Sequence, residues 1–311
     1  MVFPMKAGLK LQHRFILVSR QTFLCWDFNP VLPHHFFVLL AKEPWLASRI
    51  ILFVNKSFNM TNIQKASAIN VAVQSADLNA INQLVREDYK QHTPMIPDGR
   101  KGLLGLLTKI SNKEIPAPQI KNVRAFEDGD IVVLHHDVKW PNRKSMIELF
   151  RFEQGLATEH WSGIMDHPET TANGHTLLDG ETGVTDKADT QKNKALVRSF
   201  VENVLIRGQF GKLTDYYHTN IIQHNPYIPD GTDGLVNGIK ELNKQGITLE
   251  IQKIHHVFGE GNFVLTVSEG KLAGKPTAFF DLFRVENAKV AEHWDVLQEI
   301  PAQQAHGNTM F

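Results

Sequence analysis

Gln223-His224-Asn225-Pro226-Tyr227-Ile228-Pro229-Asp230-Gly231 repeats an earlier stretch, Gln91-His92-Thr93-Pro94-Met95-Ile96-Pro97-Asp98-Gly99. Downstream, Leu149-Phe150-Arg151 and Glu159-His160-Trp161 return as Leu282-Phe283-Arg284 and Glu292-His293-Trp294. His92 and His224 stand 132 residues apart, and His160 and His293 stand 133 apart. A near-constant offset of this length marks a duplicated domain rather than a short solenoid period. One position breaks the symmetry: the second copy ends its motif with Asp295, the first with Ser162.

Upstream of each repeated stretch the apolar spacing is helical. Ala66, Ile69 and Val73 in one copy, and Leu196, Phe200 and Val204 in the other, recur at three- and four-residue steps. Thr61, with Gln64 three residues on, reads as a capping box. Short helices over 78–87 and 210–217 are expected next, then a brief extended piece carrying His92 or His224. The Pro-Asp-Gly triplet makes a turn whose aspartate can cap a helix near 99–111 or 231–245. Beyond it, Val123 to Phe126, Ile131 to Val138, Met146 to Phe152 and Leu156 to Met165 read as four consecutive strands. The second copy repeats them over 248–258, 262–271, 276–286 and 289–298, with Asp128-Gly129, Gln154-Gly155 and Glu260-Gly261 at hairpin turns. Helices followed by a strand meander give an α+β domain, a sheet curled around a helical lid.

Domain 1 is therefore expected over 60–166 and domain 2 over 190–300. Residues 167–189, rich in Thr, Gly, Asp and Glu, read as a linker, and 301–311 as a tail. Residues 1–59 differ in character, with seven basic residues against Asp27 and Glu43. Recognisable domain sequence begins just after Met60, so that methionine reads as the natural start and 1–59 as a dispensable extension. The same basic, acid-poor composition suits a transit peptide, and that alternative stays open. The apolar run from Val31 to Val54 is too interrupted by charge, histidine and proline to span a membrane. Lys plus Arg equals Asp plus Glu at 33 each, which leaves no basic field for nucleic acid. Cys25 is the single cysteine, excluding an intrachain disulfide and a thiolate metal cluster, and a reducing, cytoplasmic setting is expected.

Gln223-His224-Asn225-Pro226, Pro229-Asp230-Gly231, Asp281-Leu282-Phe283-Arg284-Val285 and Glu292-His293-Trp294-Asp295 resemble the SnoaL-like polyketide cyclase family of the nuclear transport factor 2 superfamily. The resemblance covers 60–166 and 190–299. It implies two tandem cone-shaped α+β barrels, each with helices packed on a curved antiparallel sheet around a pocket. It also implies aldol-type cyclisation or isomerisation by acid–base chemistry without a cofactor, alongside relatives with no assigned activity. Asp295 is the acid/base that the resemblance points to. The copies are expected to pair within the chain, imitating a homodimer common among relatives.

The residues themselves support part of this. Strand alternation puts His293 and Asp295 on one face of the last strand, with Glu292 and Trp294 on the other. An imidazole and a carboxylate in one cavity could take a proton beside a carbonyl and return it to an alkoxide. Asp295 could equally be a solvated strand end. His224 is expected at the pocket rim as second proton carrier or substrate guide, or as a donor to backbone near the turn, which also suits Asn225. Asp281, in an apolar strand, either fixes the His293 tautomer or pairs with Arg284 or Lys271, and copy one keeps Glu148 at this place. Tyr227 and Trp294 complete the expected substrate-binding set with Asp281 and Asn225, although Trp161 and Trp294 also suit sheet packing. A metal held by His224, His293 and Asp295 lacks compact ligand spacing, so no metal is expected. With Ser162 for the acid, domain 1 reads as degenerate. The expected ligand is a small carbonyl compound in the C-terminal cone, turned over there or merely bound.

Overall fold

The computed structural model describes residues 60–311, together with the backbone of two short strands nearer the N-terminus. Those strands, β1 (His13–Val18) and β2 (Gln21–Trp26), pair antiparallel as a hairpin. The expectations for the rest of 1–59 lie outside the described residues. Thr61–Phe311 form a separate compact unit.

Helix α1 (Asn62–Ser75) opens domain 1 with the expected capping box: the Gln64 N–H donates to the Thr61 hydroxyl, and the Thr61 N–H to the Gln64 side chain. Next come α2 (Leu78–Leu84), β3 (Val85–Gln91), α3 (Gly99–Ser111), β4 (Gln119–Asp128), β5 (Ile131–Lys139), β6 (Arg143–Glu153) and β7 (Leu156–Asp166). Domain 2 repeats the order. Its α4 (Thr190–Phe200) runs on as one π-helical segment, Val201–Ile206, before a short α5 (Leu213–Tyr216), β8 (Tyr217–Gln223) and α6 (Gly231–Lys244). The strands β9 (Leu249–Glu260), β10 (Phe263–Leu272), β11 (Lys275–Glu286) and β12 (Lys289–Glu299) close the domain.

Each sheet has five strands, in the order β3-β7-β6-β5-β4 and β8-β12-β11-β10-β9. Four form an antiparallel meander. The fifth joins the edge in parallel, with Gln91 opposite His160 and Gln223 opposite His293. The brief extended piece expected before each Pro-Asp-Gly turn is thus a seven-residue edge strand. Its polar sequence, Val-Arg-Glu-Asp-Tyr-Lys-Gln in β3, hides a long-range pairing that Val85 and Tyr89 anchor by burial. The turn aspartates also differ from expectation. Asp98 and Asp230 stand at the N-cap but make no capping bond; each accepts instead from the N–H of Gln91 or Gln223, 2.8 Å away. Each carboxylate ties its turn to the edge strand rather than to the helix.

One face of each sheet wraps its own helices, and the opposite faces of the two sheets pack against each other. Burial on both faces turns strand patterns into continuous apolar runs. In β11, Phe279 and Phe283 enter the core of domain 2, while Phe280 and Leu282 enter the shared core. Trp294, Val296, Phe263 and Leu265 meet Phe126, Val133, Leu149 and Trp161 there. The approach is close: a Cβ at Gly163 would stand 2.5 Å from the Phe280 ring. The two domains therefore pair within the chain.

The connecting segments reinforce that pairing. Residues 172–181, which follow domain 1, lie along domain 2: the Ala172 N–H donates to the Pro226 carbonyl at 2.8 Å. Asn173 Nδ2 donates to the Gln223 carbonyl at 2.6 Å, and Leu177 is buried. The C-terminal tail does the reverse. The Ala305 N–H donates to the Pro94 carbonyl at 2.7 Å, Asn308 Nδ2 to the Gln91 carbonyl at 2.9 Å, and Met310 is buried. Each domain thus carries the arm of the other. Arg124 of domain 1 clasps the first arm, donating to the carbonyls of Leu178, Asp179 and Glu181 with its guanidinium 4.2 Å over Trp294. Burial pushes its pKa down to about 10, so it stays charged. Gly180 makes the passage possible, because a side chain there would strike Glu292 and Trp294.

Candidate active site

A cavity of about 570 Å³ lies between the sheet and helices of domain 2. Its wall is largely apolar, with Phe200, Leu235, Ile251, Phe279, Phe283 and Leu297. Met165 of domain 1 also reaches it. Alternation along β12 sends His293 and Asp295 into this space, and register sets Asp281 of β11 directly opposite Asp295. Two buried carboxylates therefore meet side by side at the cavity wall.

Their surroundings separate their roles. His293 Nε2 lies 3.1 Å from Asp281 Oδ1, and His293 Nδ1 lies 2.9 Å from Gln223 Oε1. Burial works against the imidazolium, but the hydrogen bond and charge of Asp281, aided by Asp295, outweigh it and raise the His293 pKa. Asp295 has a different balance. Burial, with a smaller push from Asp281, raises its pKa to about 6 against the pull of His293 and of the Asn225 amide. Asn225 Nδ2 donates to Asp295 Oδ2 at 2.6 Å, whereas Asp295 Oδ1 and Asp281 Oδ2 are buried without a partner among the described residues. Those two oxygens, with the unpartnered Gln223 Nε2, are the site's free hydrogen-bonding positions.

The remaining expectations divide. Asn225 lines the cavity beside Asp295, and Tyr227 stands at its rim, 62% exposed. Asp281 bonds His293 rather than Arg284 or Lys271, and Arg284 instead pairs with Glu292 at 2.5 Å. The placement of His224 at the pocket rim is corrected. Gln223 and Asn225 face the cavity, so His224 between them faces the other way, stacked on Trp294 with centroids 4.6 Å apart. There its Nδ1–H donates to the Thr176 carbonyl at 3.0 Å. Trp294 is corrected for the same reason, since its ring lies in the shared core and its indole N–H donates to the Asp179 carbonyl at 2.9 Å. The set His224, His293 and Asp295 cannot share one ion across the sheet.

Two cavity residues escaped the sequence reading. Gln223 orients His293, and its place in the repeated Gln-His pair was the available signal. Tyr217 also lines the cavity. Burial, then the charges of Asp281 and Asp295, keep its phenol well above its usual pKa, so it remains a donor.

Domain 1 builds the same frame and closes it. Glu148 takes the place of Asp281, but both its oxygens are occupied: His160 at 2.9 Å on one, His136 at 3.1 Å and Asn70 at 2.6 Å on the other. Burial alone would raise this carboxyl, yet the bonds from His136 and His160 hold it far below the usual carboxylate range. Thr93 N–H donates to Gln91 Oε1, which fixes the amide and makes His160 Nδ1 a donor to it. Both ring nitrogens of His160 thus face oxygen acceptors, Gln91 Oε1 on one side and Glu148 Oε1 on the other. Ser162 bonds the Thr93 hydroxyl at 2.6 Å.

The SnoaL-like domain family matches residues 66–160 and 197–293, more than half of the chain. Among curated proteins, none matches. Solved structures that are similar include IdmH from Streptomyces antibioticus, a candidate polyketide cyclase, at 17% identity over 32% of this chain and 88% of its own, with a TM-score of 0.28. TsrD from Streptomyces laurentii is 15% identical over 34% of this chain and 91% of its own, with a TM-score of 0.29. A candidate ketosteroid isomerase from Kribbella flavida is 13% identical over 36% of this chain and 82% of its own, with a TM-score of 0.31. No helix among the described residues is long and apolar enough to cross a membrane. The duplicated motifs, the two five-stranded sheets and the paired family match together make the chain a member of the SnoaL-like domain family, carrying two copies of the domain in tandem.

Proposed function

We propose that domain 2 catalyses cofactor-free acid–base chemistry, an aldol-type cyclisation or isomerisation, on a small apolar carbonyl compound. The observation that carries this reading is Asp295: a buried carboxyl near pKa 6, with one oxygen unpartnered beside an apolar cavity. A general base is most effective when its pKa lies near the working pH. In the proposed step, Asp295 Oδ1 removes a proton from the carbon beside the substrate carbonyl, and the C–H electron pair becomes the enolate. The charge moves from Asp295 to the substrate oxygen, where the His293 imidazolium and the Tyr217 phenol supply positive field and a hydrogen bond. Asp295, now neutral, is favoured by its burial and returns the proton to the alkoxide of an aldol product or to the isomerised carbon. His293 acts as an electrostatic partner rather than as the base, because both its nitrogens are engaged.

The test is a pH profile of kcat/KM with any turned-over carbonyl substrate. Activity should rise through about pH 6 as Asp295 ionises, then fall above the ordinary histidine range as His293 loses its proton. A flat profile, or one unchanged by Asp295→Asn, would leave no base. The second reading is a non-catalytic binder, favoured by the scarcity of polar groups on the cavity wall. Tight ligand binding that Asp295→Asn leaves intact, without turnover, would select it.

A further inference from the structure

The geometry points to a second site, independent of the cavity, where the first arm crosses domain 2: a divalent transition-metal site formed by His175, Asp179 and His224. Potential ligand atoms of these three side chains lie within 4.8 Å of one another. His224 Nδ1 is 3.0 Å from Asp179 Oδ1, and His175 Nδ1 is 3.3 Å from Asp179 Oδ2. The Thr176 carbonyl, 3.0 Å from His224 Nδ1, offers a fourth donor. A tetrahedral zinc-class ion with bonds of about 2.0–2.1 Å holds its ligand atoms roughly 3.3 Å apart, and a set already within 4.8 Å, with one Asp179 oxygen facing each histidine, reaches that spacing by small side-chain rotations.

The groups behind the ligands match what such an ion requires. Metal-bound imidazoles commonly donate their other N–H to a carboxylate, which fixes the tautomer and strengthens the ligand. His224 has one, with Nε2 3.4 Å from Glu292 Oε1, and Asp230 Oδ2 stands 3.3 Å from His175 Nε2, near enough to turn to it. Three carboxylates, Asp179, Asp230 and Glu292, thus converge on two imidazoles, a charge balance that suits a dication. With the ion on His224 Nδ1, the ring would keep its proton on Nε2, facing Glu292, and the Thr176 carbonyl would turn from acceptor to ligand. His224 is buried while His175 and Asp179 reach solvent, so an ion has access. Domain 1 supplies a natural control. His92 meets the Thr309 carbonyl and Glu159 in the same way, but Asn308 precedes that threonine as His175 precedes Thr176, and its amide is turned to the Gln91 carbonyl and Asp98. An ion here would staple the first arm to domain 2 directly behind Gln223 and Asn225.

The experiment uses the full chain, free of any affinity tag and stripped by chelator. Zn2+ is titrated by calorimetry, Co2+ by visible absorption, and thermal midpoints are read with and without metal. One Zn2+ per chain is expected, with a midpoint rise of roughly 5 °C at hundredfold excess over Kd and the d–d absorption of tetrahedral Co2+. His175→Asn, which copies domain 1, and Asp179→Asn should each weaken binding at least tenfold and abolish the Co2+ signature. Mg2+ should give neither signal. Asp295→Asn should bind as the wild type does. Failure to bind stoichiometrically overturns the site, as does binding that survives both arm substitutions. Binding lost in Asp295→Asn but not in His175→Asn would move the ion to Asp281, His293 and Asp295 and overturn it too. None of these outcomes depends on turnover, so the catalytic reading is judged separately.

Discussion

Glu148 and Asp281 occupy equivalent places in the two sheets, each bonded to the histidine of a Glu-His-Trp motif. In domain 1 both oxygens of Glu148 and both ring nitrogens of His160 have fixed partners. In domain 2, Ser268 stands where β5 carries His136, Asp295 stands where β7 carries Ser162, and carboxylate oxygens are left open. One network is closed and stabilising. The other is open and strained by two adjacent acids, as expected where a fold gives up stability for chemistry. A few side-chain differences on a common frame separate the two.

The comparison breaks most readily at the motif ends. Asp295→Asn should lower kcat/KM by about 10²–10⁴, the usual worth of a general base, while Ser162→Ala changes it little. Equal losses in steady-state assays would end the asymmetry. Stability should move in opposite directions in the two domains. Glu148→Gln removes the buried carboxylate that His136, His160 and Asn70 share and should cost about 3 kcal/mol in denaturant unfolding at pH 7. Asp295→Asn should instead stabilise by up to about 3 kcal/mol, since its pKa rises by about two units at about 1.4 kcal/mol each. The signs differ with pH as well. Asp295 binds its proton more tightly when folded, so its penalty is present above about pH 6 and fades as pH falls toward 4. Glu148 contributes stability above its unfolded pKa and loses it as pH falls further. An Asp295→Asn advantage that did not shrink on acidification would contradict this assignment.

Smaller effects test the arms. Arg124→Met removes charged hydrogen bonds to three carbonyls and should cost about 2 kcal/mol, with faster proteolysis within 167–189. Trp294→Phe keeps the stack on His224 but loses one indole hydrogen bond. It should cost about 1 kcal/mol and leave ligand affinity in the cavity unchanged. A large affinity loss would return Trp294 to the binding site.

Much of this was legible in the chain. Duplication, α+β class and the shared face of His293 and Asp295 follow from repeat spacing and strand alternation. The reading faltered where one residue had to be given a direction outside a regular strand. His224 follows the end of β8, where alternation alone turns it from the cavity while its neighbours enter, and the sequence does not show which side is which. The arms were missed because glycine- and threonine-rich segments look slack by composition. Yet Ala172, Gly174 and Thr176 recur as Ala305, Gly307 and Thr309 at the offset of the domains themselves. That spacing was a readable signal. Arg124 gave none, since its partners are main-chain carbonyls more than fifty residues away.

The exchange of arms makes the halves inseparable in a practical sense. A protein shortened after Ile300 would keep every strand of its second half and yet injure the first, stripping the Thr309 carbonyl from His92 and Met310 from the common interior. Severing the chain between the copies would leave each fragment holding a piece that belongs against its neighbour. Dissection of this molecule therefore calls for point substitutions rather than isolated domains.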